Sequence, residues 1–189
     1  MPVLLLIAAG AEIVLGPAYA GSAGPLAAVD VISRPAATRV FLSPAGHYEL
    51  TVSSADNWRT PRGVAELAEI SGNERRLVWR QDLPHRMGPR TAVVTDSGTV
   101  VLIDEWINSP SPYALTVIDS SGKILAQYSL DQLIAALGVE RRAISANARL
   151  GIWMSAAPVL SADGAAIIFR TGGRRLTVWV SDGRLSVAD

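Results

Sequence analysis

The residues best equipped for chemistry in this chain of 189 residues fall in two short stretches. Gln81–Arg90 carries Asp82, His85, Arg86 and Arg90, and the segment after the apolar run Thr99–Ile103 carries Asp104, Glu105, Trp106 and Asn108. A histidine beside a carboxylate is the pairing used in general acid–base work, and the neighbouring negative charge is expected to raise its pKa. His85 with Asp104 or Glu105 is therefore the arrangement from which a hydrolase would be built. Arg90 should lie across the ladder from Asp104, and Arg86 or Arg90 is expected to make a charge-assisted contact with Asp104 or Glu105. Trp106, and Trp58 in Asp56-Asn57-Trp58-Arg59, are loop aromatics that would offer a flat face to a sugar or a peptide. The same residues also describe a structural network, because Arg–carboxylate pairs pin loops and Pro84, Pro89, Pro110 and Pro112 stiffen these two.

Other chemistry is narrowed by what the chain lacks. No nucleophile elbow, phosphate loop, HExxH or EF-hand pattern occurs, so no residue is assigned a catalytic role. There is no cysteine, and His47 and His85 are the only histidines, which removes disulfides, thiolate catalysis and a multi-histidine metal site within one chain. No metal and no cofactor is expected. Seventeen basic residues balance 17 acidic ones, giving no general attraction for nucleic acid. Lys123 is the only lysine, so the other basic side chains are arginines.

The elements that must position these residues read as strands. Hydrophobic residues make up 49% of the chain, enough for a real core. Short runs rich in Val, Ile, Leu, Tyr and Trp alternate with glycine turns, the signature of hairpins. The first unit pairs Arg39–Leu42 with Tyr48–Val52, and Val64–Ile70, whose pattern fits strand or helix, with Arg75–Arg80, around Gly46 and Gly72. The second pairs Thr91–Val94 with Thr99–Ile103, and Tyr113–Ile118 with Lys123–Tyr128, around Gly98 and Gly122. The third pairs Pro158–Leu160 with Ala165–Phe169, and Leu176–Val180 with Leu185–Val187, around Gly164 and Gly183. Trp79 and Trp179 fall in strands and should pack inside.

One helix interrupts the pattern. Ser129-Leu130-Asp131-Gln132 matches a capping box, Leu130, Leu133, Ile134 and Leu137 form one stripe, and Gly138 suits the C-terminal cap. The spacing predicts a helix over 130–137, with Val139–Gly151 continuing as helix or loop.

The expected fold is all-β: three four-stranded antiparallel blade-like units, arranged as a partial propeller or as packed sheets, with one short helix. The corners Leu42-Ser43-Pro44-Ala45-Gly46-His47-Tyr48 and Leu160-Ser161-Ala162-Asp163-Gly164 resemble the strand, Ser-Pro-Asp-Gly, strand corner of β-propeller repeats of the TolB-like and YVTN-like kind. The resemblance implies propeller-like architecture over most of 39–189 and assigns no functional residue. Closed rings take four to eight blades, so three units must cover their open edges or associate.

Residues 1–20 form an apolar segment ending Ala18-Tyr19-Ala20, which reads as a signal peptide cleaved before Gly21. Glu12 within it, and the absence of a basic residue ahead of it, leave an uncleaved membrane anchor through residues 1–20 as the alternative. Residues 21–37 read as a linker or arm, and 38–189 as one β-repeat domain. After cleavage no membrane span is expected. The function that fits is an exported, non-enzymatic module, periplasmic or extracellular. It binds a protein, peptide or glycan through His85, Arg86, Arg90, Asp104, Glu105, Trp106, Asn108 and Trp58. A hydrolase using His85, a structural component of an envelope assembly, and a homo-oligomer stand as alternatives.

Overall fold

A computed structural model describes residues 33–107 and 109–188. The signal-peptide reading, most of the proposed arm, and Asn108 lie outside the described residues.

Twelve strands form three separate four-stranded antiparallel sheets, each in simple sequence order. Sheet 1 contains β1 (Thr38–Leu42), β2 (Tyr48–Ser53), β3 (Gly63–Ser71) and β4 (Glu74–Leu83). Sheet 2 contains β5 (Pro89–Val94), β6 (Val100–Glu105), β7 (Leu115–Ile118) and β8 (Ile124–Tyr128). After α1 (Leu130–Leu137) and α2 (Arg141–Asn147), sheet 3 contains β9 (Val159–Leu160), β10 (Ala166–Thr171), β11 (Arg174–Trp179) and β12 (Leu185–Ala188). These are the three units expected, and Val64–Ile70, which fits strand or helix by pattern, is strand. None of the three sheets closes on itself.

The tight turns share one hydrogen-bond design. Ser43, Thr95, Asp119 and Ser161 each precede such a turn, and the carbonyl of each accepts from the amide of the turn glycine at 2.9–3.0 Å. Their side-chain oxygens accept from the backbone amides of Tyr48, Thr99, Lys123 and Ala166 at 2.9–3.1 Å. The glycines at 46, 98, 122 and 164 all have positive φ, which costs a residue without a Cβ nothing.

α1 forms where the capping box places it. Ser129 Oγ accepts from the Gln132 amide, the Gln132 side chain accepts from the Ser129 amide, and Gly138 closes the helix at φ 63°. The helix lies against β8 and β12, the outermost strands of sheets 2 and 3, so it covers part of two edges.

Packing makes sheet 2 the middle layer. Every residue of β6 and β7 is buried. Val100, Leu102 and Ile118 join Leu50, Val52, Leu67 and Trp79 of sheet 1 in one apolar cluster. Val101, Ile103, Leu115 and Val117 join Ile167, Phe169, Leu176 and Val178 of sheet 3, with Leu133, Leu137, Ile144 and Trp153, in the other. A strand buried on both faces reads as a continuous apolar run rather than an alternation, as Val100–Ile103 does.

Candidate functional site

The two stretches singled out by residue type do meet, at the end of β6. The β5–β6 register pairs Thr91 with Ile103 and Pro89 with Glu105, which sets Arg90 across the ladder from Asp104. At Asp104 the backbone takes φ 52°, a left-handed value uncommon outside glycine. The strand is kinked there, and the carboxylates of Asp104 and Glu105 find partners on different segments.

Glu105 Oε1 accepts the backbone amide of Arg86 at 2.7 Å. The expected contact between these two residues is therefore made by the Arg86 main chain, which fixes the 84–90 loop without using its guanidinium. Asp104 Oδ1 accepts Trp153 Nε1–H at 2.8 Å, a bond buried between sheets 2 and 3. Asp104 Oδ2 is buried and has no hydrogen-bond partner. Burial raises its pKa to about 7, against the lowering effects of the Trp153 bond and the Arg90 charge; Glu105 raises it further. Arg90 acts on Asp104 through its charge and reaches the Trp106 carbonyl with Nη1 at 3.4 Å.

His85 departs from expectation. It is fully buried, neither ring nitrogen has a hydrogen-bond partner, and its ring lies 5.1 Å from that of Tyr113. No carboxylate holds it, so desolvation is the cause that acts, and its pKa is lowered to about 4 rather than raised. The imidazole is thus neutral at pH 7 and set as packing.

The two loop tryptophans tie down the segment that leads into β1. Trp58 is buried, not presented to solvent, because positive φ at Asn57 and Trp58 turns the chain back on itself. Its Nε1–H donates to the Ala36 carbonyl at 2.9 Å. Its ring sits so close to Gly63 and Gly88 that a Cβ at either would come within 2.9–3.1 Å of it. Trp106 is partly exposed and donates to the Ser33 carbonyl at 2.6 Å. Above it lies Arg39, with its guanidinium carbon 5.2 Å from the ring and its Nη1 donating to the Arg90 carbonyl at 3.1 Å. Burial lowers the Arg39 pKa to about 10. Nothing in the sequence singled out Arg39 or Trp153, which complete this constellation from 51 and 49 residues away.

Chemically the constellation links loops and layers. Asp104, Glu105 and His85 are committed or sealed, and among the described residues no group of three His, Cys, Asp or Glu side chains could hold a metal ion. An open cleft of about 610 Å³ reaches the first stretch at Asp82, Leu83 and Pro84, and others lie elsewhere. One of about 480 Å³ sits where the first hairpins of the three units converge, lined by Pro44, Thr95–Ser97 and Leu160–Ala165. There Asp96 accepts the Ala45 amide at 2.8 Å, joining two units, and that bond holds its pKa below the usual range.

No family model and no curated protein matches the chain. A europium-containing methanol dehydrogenase is similar in structure over 79% of this chain and 26% of its own, at 10% identity and a TM-score of 0.39. At that score the likeness assigns neither fold nor activity. No described helix is long and apolar enough to cross a membrane.

Proposed function

We propose that this chain is an exported, non-enzymatic binding module of three propeller-like blades, which docks a protein partner on the outer face of sheet 1. The propeller reading is supported by sequential four-stranded units whose first hairpins converge on one cleft. The docking reading is carried by a single observation: Val40, Leu42 and Leu77 are each more than half exposed on one sheet face. The register puts Leu42, Glu49, Ala68 and Leu77 in one cross-strand row and Val40, Thr51, Glu66 and Arg80 in the next. Arg75 pairs with Glu49 at 2.9 Å and Arg80 with Glu66 at 2.6 Å, so charged pairs lie between the exposed aliphatics of the two outer strands. Exposed aliphatics interleaved with charged pairs on one sheet face suit contact with a protein. Aliphatic rather than aromatic side chains favour a protein over a glycan.

The test compares the parent with Leu42→Asp/Leu77→Asp. Crosslinking in the native compartment should capture a partner with the parent and not with the variant, and the purified pair should bind directly. A concentration-dependent mass in light scattering, abolished by the same substitutions, would identify the partner as a second copy. A parent that neither captures a partner nor self-associates overturns the reading.

A further inference from the structure

The shared turn fixes which residues of the three sheets are equivalent. Ser43, Thr95 and Ser161 hold that turn alike. The residue before each, Leu42, Val94 or Leu160, and its cross-strand partner, Glu49, Val100 or Ile167, therefore occupy the same place in sheets 1, 2 and 3. Val94 and Val100 pack toward sheet 1, and Leu160 and Ile167 pack toward sheet 2. The neighbouring ladder pairs point to the opposite face. Phe41 and Leu50 pack toward sheet 2, and Val93 and Val101 toward sheet 3. Each sheet thus turns one face to the sheet before it and the other to the sheet after it.

Two faces lack that neighbour among the described residues. Leu42 stands on sheet 1 where Val94 and Leu160 meet a preceding sheet, and it is 61% exposed. Val159 and Ile168 stand on sheet 3 where Phe41 with Leu50, and Val93 with Val101, meet a following sheet. Val159 is 60% exposed and Ile168 half-buried. The two faces also differ in the sign of their charge. On sheet 3, Arg170 and Arg175 share the face of Val159, Ile168 and Thr177, and no described carboxylate stands there. On sheet 1, Glu49, Glu66 and Asp82 outnumber Arg75 and Arg80.

We infer that the partner of the sheet 1 face is a second copy of this chain, which presents the outer face of its sheet 3. The assignment rests on the docking reading of sheet 1 and names its partner. The junction repeats between copies the contact that sheets 1 and 2, and sheets 2 and 3, already make within one. It is heterologous, because each copy contributes a different face to it. Two copies joined at both ends by this contact form a closed ring of six sheets about a twofold axis, within the roughly four to eight that such rings take. Arg170 and Arg175 then face the more acidic surface of sheet 1, which sets the order of the faces as well as their contact.

The test is sedimentation of the parent chain and of two variants, each blocked on one face. Leu42→Asp/Leu77→Asp blocks sheet 1 and Val159→Asp/Arg175→Glu blocks sheet 3; all four side chains are exposed, so both variants should fold. The parent should reach twice the monomer mass and no more, and each variant alone should raise the dimer Kd by about tenfold or more. An equimolar mixture of the two variants should associate more tightly than either alone, because one junction still joins two intact faces. A mixture no tighter than its components, a sheet 3 variant that dimerises as the parent does, or a parent mass that keeps growing with concentration overturns the proposal. A monomeric parent that captures a different protein through Leu42 and Leu77 also overturns it, and leaves the docking reading of sheet 1 standing. A monomeric parent that captures nothing removes both.

Discussion

Trp153 donates its indole N–H to Asp104 across 2.8 Å, and this bond joins the segment after α2 to the kinked end of β6. It is also a bond on which the carboxylate depends. Trp153→Phe keeps the ring contact with Phe169 and removes the donor, leaving both Asp104 oxygens unpaired. A loss of about 1–3 kcal/mol in unfolding free energy is expected, read by denaturant melts, with the Asp104 titration moving above its parent value by NMR. An unchanged titration would mean that Trp153 does not contribute to holding the charge.

Asp104 and His85 oppose each other as pH changes. Asp104 titrates near 7 in the fold against an ordinary value of 3.8, so its contribution is full below about 3.8 and is lost as pH rises toward 7. His85 titrates near 4 against 6.5, so its contribution is full above about 6.5 and is lost as pH falls toward 4. Between those limits the two slopes, each at most about 1.4 kcal/mol per pH unit, cancel. Relative to the parent, Asp104→Asn should lose stability as pH falls from 7 to 4, and His85→Phe should gain it. Parallel curves for parent and both variants would rule out the opposed titrations.

Glycines with similar backbone angles should respond differently to substitution. Gly164 has φ 69° and open space at its Cβ position, so Gly164→Ala carries only the left-handed strain of about 1–2 kcal/mol. Gly183 has φ 71°, and a Cβ there would lie 2.4 Å from Ala126 Cβ on β8. Tyr128 also donates to the Gly183 carbonyl at 2.9 Å, so the turn has little room to retreat. Gly183→Ala should cost at least twice as much as Gly164→Ala in the same melt; equal costs would show that sheets 2 and 3 yield at this contact.

Thr95 concentrates the turn design in one hydroxyl. Its Oγ1 accepts from the Thr99 amide at 3.0 Å and lies 2.9 Å from Ser97 Oγ, all but buried. Thr95→Val removes these bonds at constant shape and should destabilise by about 1–3 kcal/mol, more than Ser161→Ala at the half-buried counterpart.

Export has a direct readout. Mass spectrometry of the protein recovered from its native compartment should find Gly21 as the first residue, and intact Met1 in a cytoplasmic fraction would remove the export reading.

The fold was legible where its signals are local. Ser129, Gln132 and Gly138 lie within ten positions and specify α1 by themselves, and each turn glycine marks a hairpin because the chain needs positive φ there. The Arg90–Asp104 proximity followed from register alone. What was not legible depends on distant partners or a broken rule. Trp58 sits among polar neighbours and reads as a surface residue, yet it is buried through positive φ and two glycines that admit its ring. His85 reads as a partner for acids, but those acids are engaged by the Arg86 amide and Trp153, the latter 49 residues beyond Asp104. The outer face of sheet 1 escaped notice because Val40, Leu42 and Leu77 look like ordinary strand residues until the register sets them on one face.

Sheet 2 has no side of its own to show to water, and that limits how this protein can be divided. A fragment ending after sheet 2 would expose Val101, Ile103, Leu115 and Val117; one beginning at sheet 2 would expose Val100, Leu102 and Ile118. Neither pair of neighbouring units has a finished surface, although each sheet is contiguous in sequence. The smallest piece expected to stay in solution alone is the whole triplet, so the repeats are units of pattern but not units of excision.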